Sequence, residues 1–340
     1  MMQRHIFISV FIMLFCSCNF RAEYNTLNGF ALGTTYHIVY EQPALKKGEY
    51  KPLPNIPDIV AQAFRDIDLS LSVYNEESII SMVNRNEPVD LDTLFLRVFN
   101  RGQEVYSLTS GAFDMAAAPY FDLWGFGFKR REQVTQAKLD SVAPFAGMDK
   151  IWISDGKIEK TDPRVSLNAN AIAKGFCSDV IASRLSTAGV KNLLVEVGGE
   201  IYCKGVNGKG RIWSIGIDRP EYGNYIPGAE MQATLLISGK GLATSGNYRN
   251  FYEMDGKKYG HTVDPATGRP VQHSLLSATV IASDCMSADA FATAFMVMGL
   301  EKTKIFLESY PQIDALLIYS DETGAYQSFT TSNVIFLKNR

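Results

Sequence analysis

The chain has 340 residues, 46% of them hydrophobic and 20% charged, with a formal net charge of −3. That is long and apolar enough to bury a large core, as one big domain or two small ones, and it gives no electrostatic footprint for nucleic acid. Beyond the leader, Cys177, Cys203 and Cys285 are odd in number and far apart, and His37, His261 and His273 lack metal-ligand spacing, which argues against a disulfide framework and against zinc.

Arg4 and His5 precede an apolar run over residues 6–15, half of what a spanning helix needs and suited to an export signal. Ser17 before Cys18 resembles a bacterial lipobox, with Cys18 as the lipidated residue; the alternative is ordinary cleavage to a soluble product. Residues 1–18 therefore read as a lipoprotein signal peptide, 19–28 as a tether and 29–340 as the folded unit. The expected location is the periplasmic side of a bacterial membrane, the inner one, held by the lipid anchor.

The next stretch turns into a strand at Thr35, with Tyr36, Ile38 and Tyr40 alternating. Residues 46–57 hold three prolines and read as a loop. Pro57 starts a helix whose Ile59, Val60, Ala63, Phe64 and Ile67 share one face, and Tyr74 stands just past its end. A second amphipathic helix is expected over 91–108, stopped at Ser110-Gly111. Two turns follow close together, Gly111-Ala112-Phe113-Asp114 and Trp124-Gly125-Phe126-Gly127. Short strands are expected over 151–153, 157–160 and 165–167.

From Ala171 the chain reads helical as far as Gly189. A strand running into a helix N-terminus is a natural anion site, and Lys174 in the first turn adds positive charge, although a solvated lysine has the same signature. Residues 192–202 give a strand, a Gly198-Gly199 break and a second strand. Further strands are expected over 212–217, 231–237, 276–282 and 315–319, and an edge strand over 328–337.

Three segments near the C-terminus carry the chemistry. Thr244-Ser245-Gly246-Asn247 is small and polar, the kind of Gly/Ser loop whose backbone approaches a phosphate or flavin closely. His261 precedes Asp264-Pro265-Ala266-Thr267-Gly268, a tight turn in which Asp264 bonds its own backbone. A histidine there can act as acid or base near neutral pH, or can be incidental to a surface turn. Asp289 and Thr293 stand four apart in a helix expected over 287–298, with Gly299 as its stop. Their oxygens share a helix face and can ligate a hard cation such as Mg2+; a capping Asp and a Thr bonded to its own helix would show the same spacing.

Taken in order, Thr-Ser-Gly-Asn-Tyr, His-x-x-Asp-Pro-x-Thr-Gly and Ala-Asp-Ala-x-x-Thr, with the Gly-x-Phe-Asp and Trp-Gly-Phe-Gly turns and Ile172-Ala173-Lys174-Gly175, resemble the ApbE family, the FAD:protein FMN transferases. The resemblance spans about 29–337 and implies an α+β fold: an open, mixed, largely antiparallel sheet with flanking helices, in one catalytic unit. It implies that FAD is split at its pyrophosphate, FMN passes to a Thr or Ser hydroxyl of an exported or membrane flavoprotein, and AMP leaves. The acceptor subunit carries a short Ser/Asp-Gly-Ala-Thr type motif.

The resemblance also assigns residues. Leu32, where the family has Met, packs on the flavin nucleotide, and Tyr74 contacts FAD. Ala112, Phe113 and Asp114 hold the nucleotide, together with Asn168, which stands where Asp is common. Lys174 and His261 contact FAD. The Ala171 carbonyl, Asp289 and Thr293 ligate Mg2+. His261 is the base for the acceptor hydroxyl, oriented by Asp264. The rival readings are an Mg2+-dependent FAD pyrophosphatase and a flavin-binding lipoprotein without activity.

Overall fold

A computed structural model describes residues 23–42, 54–125, 134–220, 228–247, 251–254, 257–260 and 262–337. Cys18 and His261 lie outside the described residues.

The chain opens with a hairpin, β1 (Tyr24–Ala31) and β2 (Thr34–Glu41). Helices α1 (Ile56–Leu71), α2 (Ile79–Asn84), α3 (Thr93–Leu108), α4 (Ala118–Trp124) and α5 (Gln136–Val142) follow, then a small hairpin of β3 (Ile151–Ser154) and β4 (Lys157–Lys160). Helix α6 (Ala173–Thr187) leads to β5 (Leu193–Val197) and β6 (Glu200–Lys204). Strands β7 (Trp213–Asp218) and β8 (Met231–Ile237) form a separate ribbon before β9 (Lys240–Gly246). Two further pairs, β10 (Phe251–Met254) with β11 (Lys257–Gly260) and β12 (Val263–Asp264) with β13 (Arg269–Pro270), precede β14 (Leu275–Ala282). The long α7 (Cys285–Ser309), β15 (Asp314–Ser320) and β16 (Tyr326–Thr330) complete the fold.

Eight strands form the main sheet in the order β1-β2-β5-β6-β9-β14-β15-β16, every described pair antiparallel. The period-two alternation of strands divides their side chains between two cores. On β5, Leu193, Val195 and Val197 join the core under α1, α3, α6 and α7, while Leu194 joins a second core beneath the β7–β8 ribbon with Trp213, Ile215 and Leu235. The α+β architecture is thus a helix layer, a sheet and a covering ribbon.

Several elements depart from expectation. Residues 24–28 are not tether but the first part of β1, whose polar Tyr-Asn-Thr-Leu-Asn run is ordered by its ladder to β2. Residues 165–167 form no strand, because the Leu167 backbone is satisfied on both sides by the Asn84 amide (N–H to Oδ1 at 2.7 Å, Nδ2 to C=O at 2.9 Å). The expected C-terminal edge strand is β16, and Phe336 makes an isolated bridge to Leu235.

Thr244-Ser245-Gly246 is not a loop but the end of β9, a central strand. Helix α7 lies along this strand, with Thr293 beside Ser245 at its end and the helix N-terminus against Gly241 at its start. A Cβ on Gly241 would stand 2.2 Å from the Cys285 nitrogen. Gly299 (φ 76°) breaks α7, and His273 Nε2 lies 2.8 Å from the Met296 carbonyl just before the break.

Gly241→Ala should therefore destabilise the protein by at least the ~1–3 kcal/mol of ordinary overpacking, since the obstacle is backbone. Urea unfolding should show a lower midpoint at an unchanged slope; a wild-type midpoint would contradict this packing.

Candidate active site

A cleft of about 1450 Å³ runs around one end of the main sheet. Its walls come from the β1–β2 hairpin (Thr34, Thr35, His37), the Ala112–Asp114 turn, the approach to α6 (Asn168, Ala171, Lys174) and the Gly198-Gly199 turn. The end of β9 (Thr244, Ser245), Thr262, Val263 and Pro265, α7 (Asp289, Thr293) and the β7–β8 ribbon (Ile215, Ile217, Met231) also contribute. It exceeds the ~300–1,000 Å³ usual for drug-sized ligands.

The centre is a buried charge cluster. Lys174 Nζ lies 2.8 Å from Glu200 Oε1 and 4.0 Å from Asp289 Oδ1, with both carboxylates almost fully buried. Burial opposes the Lys174 charge, but Asp289 and Glu200 outweigh it and hold its pKa above the ordinary lysine value. Burial likewise pushes the Asp289 and Glu200 acids up, against the pull of Lys174. Two carboxylates on one ammonium leave surplus negative charge, which a proton or a cation can balance. Among the described residues Glu200 Oε2 is buried with no hydrogen-bond partner.

Why these groups meet is legible in the helix contacts. A Cβ on Gly175 would stand 2.3 Å from the Cys285 carbonyl and 2.8 Å from Asp289 Cβ, so glycine lets α6 touch α7. The Gly175 N–H, whose partner four residues back in a regular helix is the Ala171 carbonyl, donates instead to Asp289 Oδ2 at 3.0 Å. Ile172 is non-helical (φ −148°), so α6 begins at Ala173 rather than Ala171 and the Ala171 carbonyl is left outside the helix ladder. Asp289 is not the cap of α7. That position belongs to Asp284, which accepts from Ser287 N at 2.7 Å, while Asp179 accepts from Cys285 N and Met286 N at 2.9 and 2.8 Å. Thr293 Oγ1 lies 3.5 Å from Ser245 Oγ.

Among the described residues no cluster of three His, Cys, Asp or Glu side chains could hold a metal. The available set of one carboxylate, one hydroxyl and one freed carbonyl is all hard oxygen, and fits Mg2+ completed by ligand phosphates and water.

The other expected residues fall around this centre. Ala112, Phe113, Asp114 and Asn168 all line the cleft. Asp114 accepts from Ala116 N at 2.7 Å and Met148 N at 3.3 Å, and burial raises its pKa to about 7. Asn168 Oδ1 accepts from Asn170 N at 2.9 Å, a local turn that its amide supports as well as a carboxylate would. Tyr74 is not in the wall but on the rim, 72% exposed, its hydroxyl 3.4 Å from the Asn170 amide. Leu32 sits at the hairpin tip in the left-handed region (φ 50°), packed on the main core two residues before Thr34.

Asp264 shapes its own turn, accepting from Ala266 N at 2.9 Å and Thr267 Oγ1 at 3.3 Å; its neighbours Val263 and Pro265 line the cleft. That turn is clamped from α4, where Trp124 Nε1 donates to the Gly268 carbonyl at 2.7 Å. Glu200, Asp179 and Trp124 were the residues that spacing could not assign. The Gly198-Gly199 break and the Trp124-Gly125 turn stand beside two of them without giving either a role, and Asp179 acts only across the tertiary contact.

An ammonium beside a cation-seeking oxygen set, in a cleft this large, defines a site for handling a nucleotide's phosphates. The chain belongs to the ApbE family, whose model matches residues 32–317. It is 34% identical over 332 residues to the FAD:protein FMN transferase of Vibrio cholerae serotype O1, covering 96% of each chain. It is 32% identical over 247 residues to the protein of that description from Escherichia coli K12, covering 70% of this chain and 69% of the other. The structure of a flavin transferase ApbE from Vibrio cholerae superposes with a TM-score of 0.79 at 32% identity, over 92% of this chain and 98% of that one.

The raised Asp114 acid gives a signed pH dependence. Its folded pKa of about 7 exceeds the ordinary 3.8, so the folded form holds a proton that the unfolded chain releases. This contribution is most favourable at low pH and is lost as pH rises toward about 7. Asp114→Asn should gain stability relative to wild type across that window, by urea midpoints at several pH values; a constant difference would contradict it.

Proposed function

We propose that this protein transfers FMN from FAD to a Thr or Ser hydroxyl of an acceptor flavoprotein, releasing AMP. The observation that carries this reading is that Ala171, Lys174, Asp289 and Thr293 line one cleft, with Lys174 paired to Asp289 and the Ala171 carbonyl freed from its helix, in a member of the ApbE family. Relatives of that family similar over nearly the whole chain are FAD:protein FMN transferases.

In this reading Ala112, Phe113, Asp114 and Asn168 seat the nucleotide, with Leu32 and Tyr74 beside the flavin. Lys174 binds the pyrophosphate through its ammonium, positioned by Glu200. Asp289, Thr293 and the Ala171 carbonyl would hold Mg2+, which neutralises phosphate charge when bound. The acceptor oxygen attacks the FMN-side phosphorus, the bond to the AMP oxygen breaks, and the hydroxyl proton passes to His261, with Asp264 holding the turn that presents it. Phosphoryl transfer needs such positioning and charge more than covalent help.

Two variants separate binding from chemistry. His261→Ala should bind FAD nearly as wild type but transfer ~10²–10⁴-fold more slowly, the usual worth of a positioned base. Asp289→Ala should lose Mg2+ dependence and nearly all activity. In-gel flavin fluorescence of an acceptor subunit, with FAD affinity measured in parallel, reads both. A His261→Ala protein that transfers at the wild-type rate when saturated with FAD rules out the base. Free FMN and AMP in place of a labelled acceptor would make the protein a pyrophosphatase.

The leader supports a lipoprotein on the periplasmic side of the inner membrane, anchored through Cys18. Cys18→Ala should abolish fatty-acid labelling and membrane partitioning; a variant that still labels overturns the anchor.

A further inference from the structure

The outer edge of β1 ends beside the charge cluster. A Cβ on Gly198 would stand 3.0 Å from both the Lys174 side chain and Thr34, so the β1–β2 tip, the Gly198 turn and Lys174 share one corner. Phe30 pairs with Thr35 and Asn28 with His37, and directly opposed residues share a sheet face. Thr35 and His37 line the cleft, so Asn28 and Phe30, the latter 72% exposed, lie on the same sheet face as that wall. His37 and Asn28 are hydrogen-bonded side chain to side chain.

Among the described residues β2 is the one neighbour of β1 in the sheet. Gln42 N donates to Glu23 O at 2.8 Å, and the two-residue turn closes with Ala31 opposite Thr34. Both put the odd-numbered residues of β1 in hydrogen-bonded pairs with β2, so the N–H and C=O of Tyr24, Thr26, Asn28 and Phe30 face outward. Proteins normally blunt such an edge with charge, proline or a bulge. The Tyr24–Ala31 sequence has no charge and no proline, and its register to β2 is unbroken. The glycine at 29 is covered by the Tyr36 ring, whose atoms come within 2.5 Å of where a Cβ would stand, a device that keeps an edge strand flat and ordered.

We propose that the acceptor protein docks by adding an extended segment to the outer edge of β1. This rests on the transfer reading. A macromolecular acceptor must deliver one hydroxyl to the Lys174 corner, and an added strand runs along a ladder that ends there. A few residues past the ladder, at ~3.3 Å each, span the remaining gap to the corner. Backbone pairing supplies affinity without reading side chains, and Phe30 offers the exposed apolar contact on the cleft face.

The test uses the mature chain with FAD and a peptide centred on Ser-Gly-Ala-Thr with β-branched flanks. Amide hydrogen exchange should slow at Thr26, Asn28 and Phe30 when the peptide is added, with β16 amides unchanged. Thr26→Pro removes one outward donor and should raise the peptide KM by about three- to tenfold, the worth of one hydrogen bond, with FAD affinity and kcat unaltered. Transfer at saturating peptide with no slowing along β1 overturns the proposal. So does slowing without peptide that grows with protein concentration, which marks a second copy of this chain on the edge. Slowed edge amides with no flavin on the peptide overturn the transfer reading alone; neither signal overturns both.

Discussion

The hydrogen bond from the Gly175 N–H to Asp289 is the contact on which the site depends. It can form only because two helices touch where glycine removes the side chain. One bond then does three things. It orients the carboxylate, it takes the Gly175 donor away from the Ala171 carbonyl, and it brings Lys174, one residue earlier, within reach of both acids. The N-terminus of α7 is held in register for this by Asp179 from α6 and Asp284 from its own cap. The cost of burying the two acids is offset by Lys174, so removing Lys174 would leave both carboxylates without their counter-charge.

Much of this was legible before the structure. The amphipathic faces of α1 and α3 follow from apolar spacing, Gly299 does end the first half of α7, and the Gly-Gly break does separate β5 from β6. The illegible parts share a cause: their reasons lie in partners far along the chain. Strand β1 lacks a clean apolar alternation because, among the described residues, β2 is its one neighbour in the sheet. The β9 segment reads as a loop because its small residues answer to α7, not to local turn chemistry. Glu200 and Asp179 carry no local signature at all, since each is defined by what it meets across 26 and 106 residues, to Lys174 and Cys285 respectively.

The site also has a second mechanical unit. Helix α4 follows directly on the Ala112–Asp114 turn and, through Trp124, grips the Gly268 carbonyl of the Asp264 turn. Tyr120 and Leu139 fill the space above Gly268, so no larger residue fits there. The nucleotide-side turn and the Asp264 turn are therefore tied to one helix that stands apart from the main sheet and has its own small apolar cluster with Val263. Precision at the cleft comes from two scaffolds, the α6–α7 contact on one side and α4 on the other.

The walls of the cleft are drawn from almost the whole length of the chain, from Thr34 to Val297. A growing polypeptide leaving the ribosome cannot assemble any working portion of it, because α7 is among the last elements made and the cluster has no second carboxylate before it arrives. Contacts of such long sequence separation form late and together. A dinucleotide can stabilise only the finished fold, by mass action on the native state. Capture of the dinucleotide therefore waits on the docking of α7 against α6, the step that brings Asp289 to Lys174.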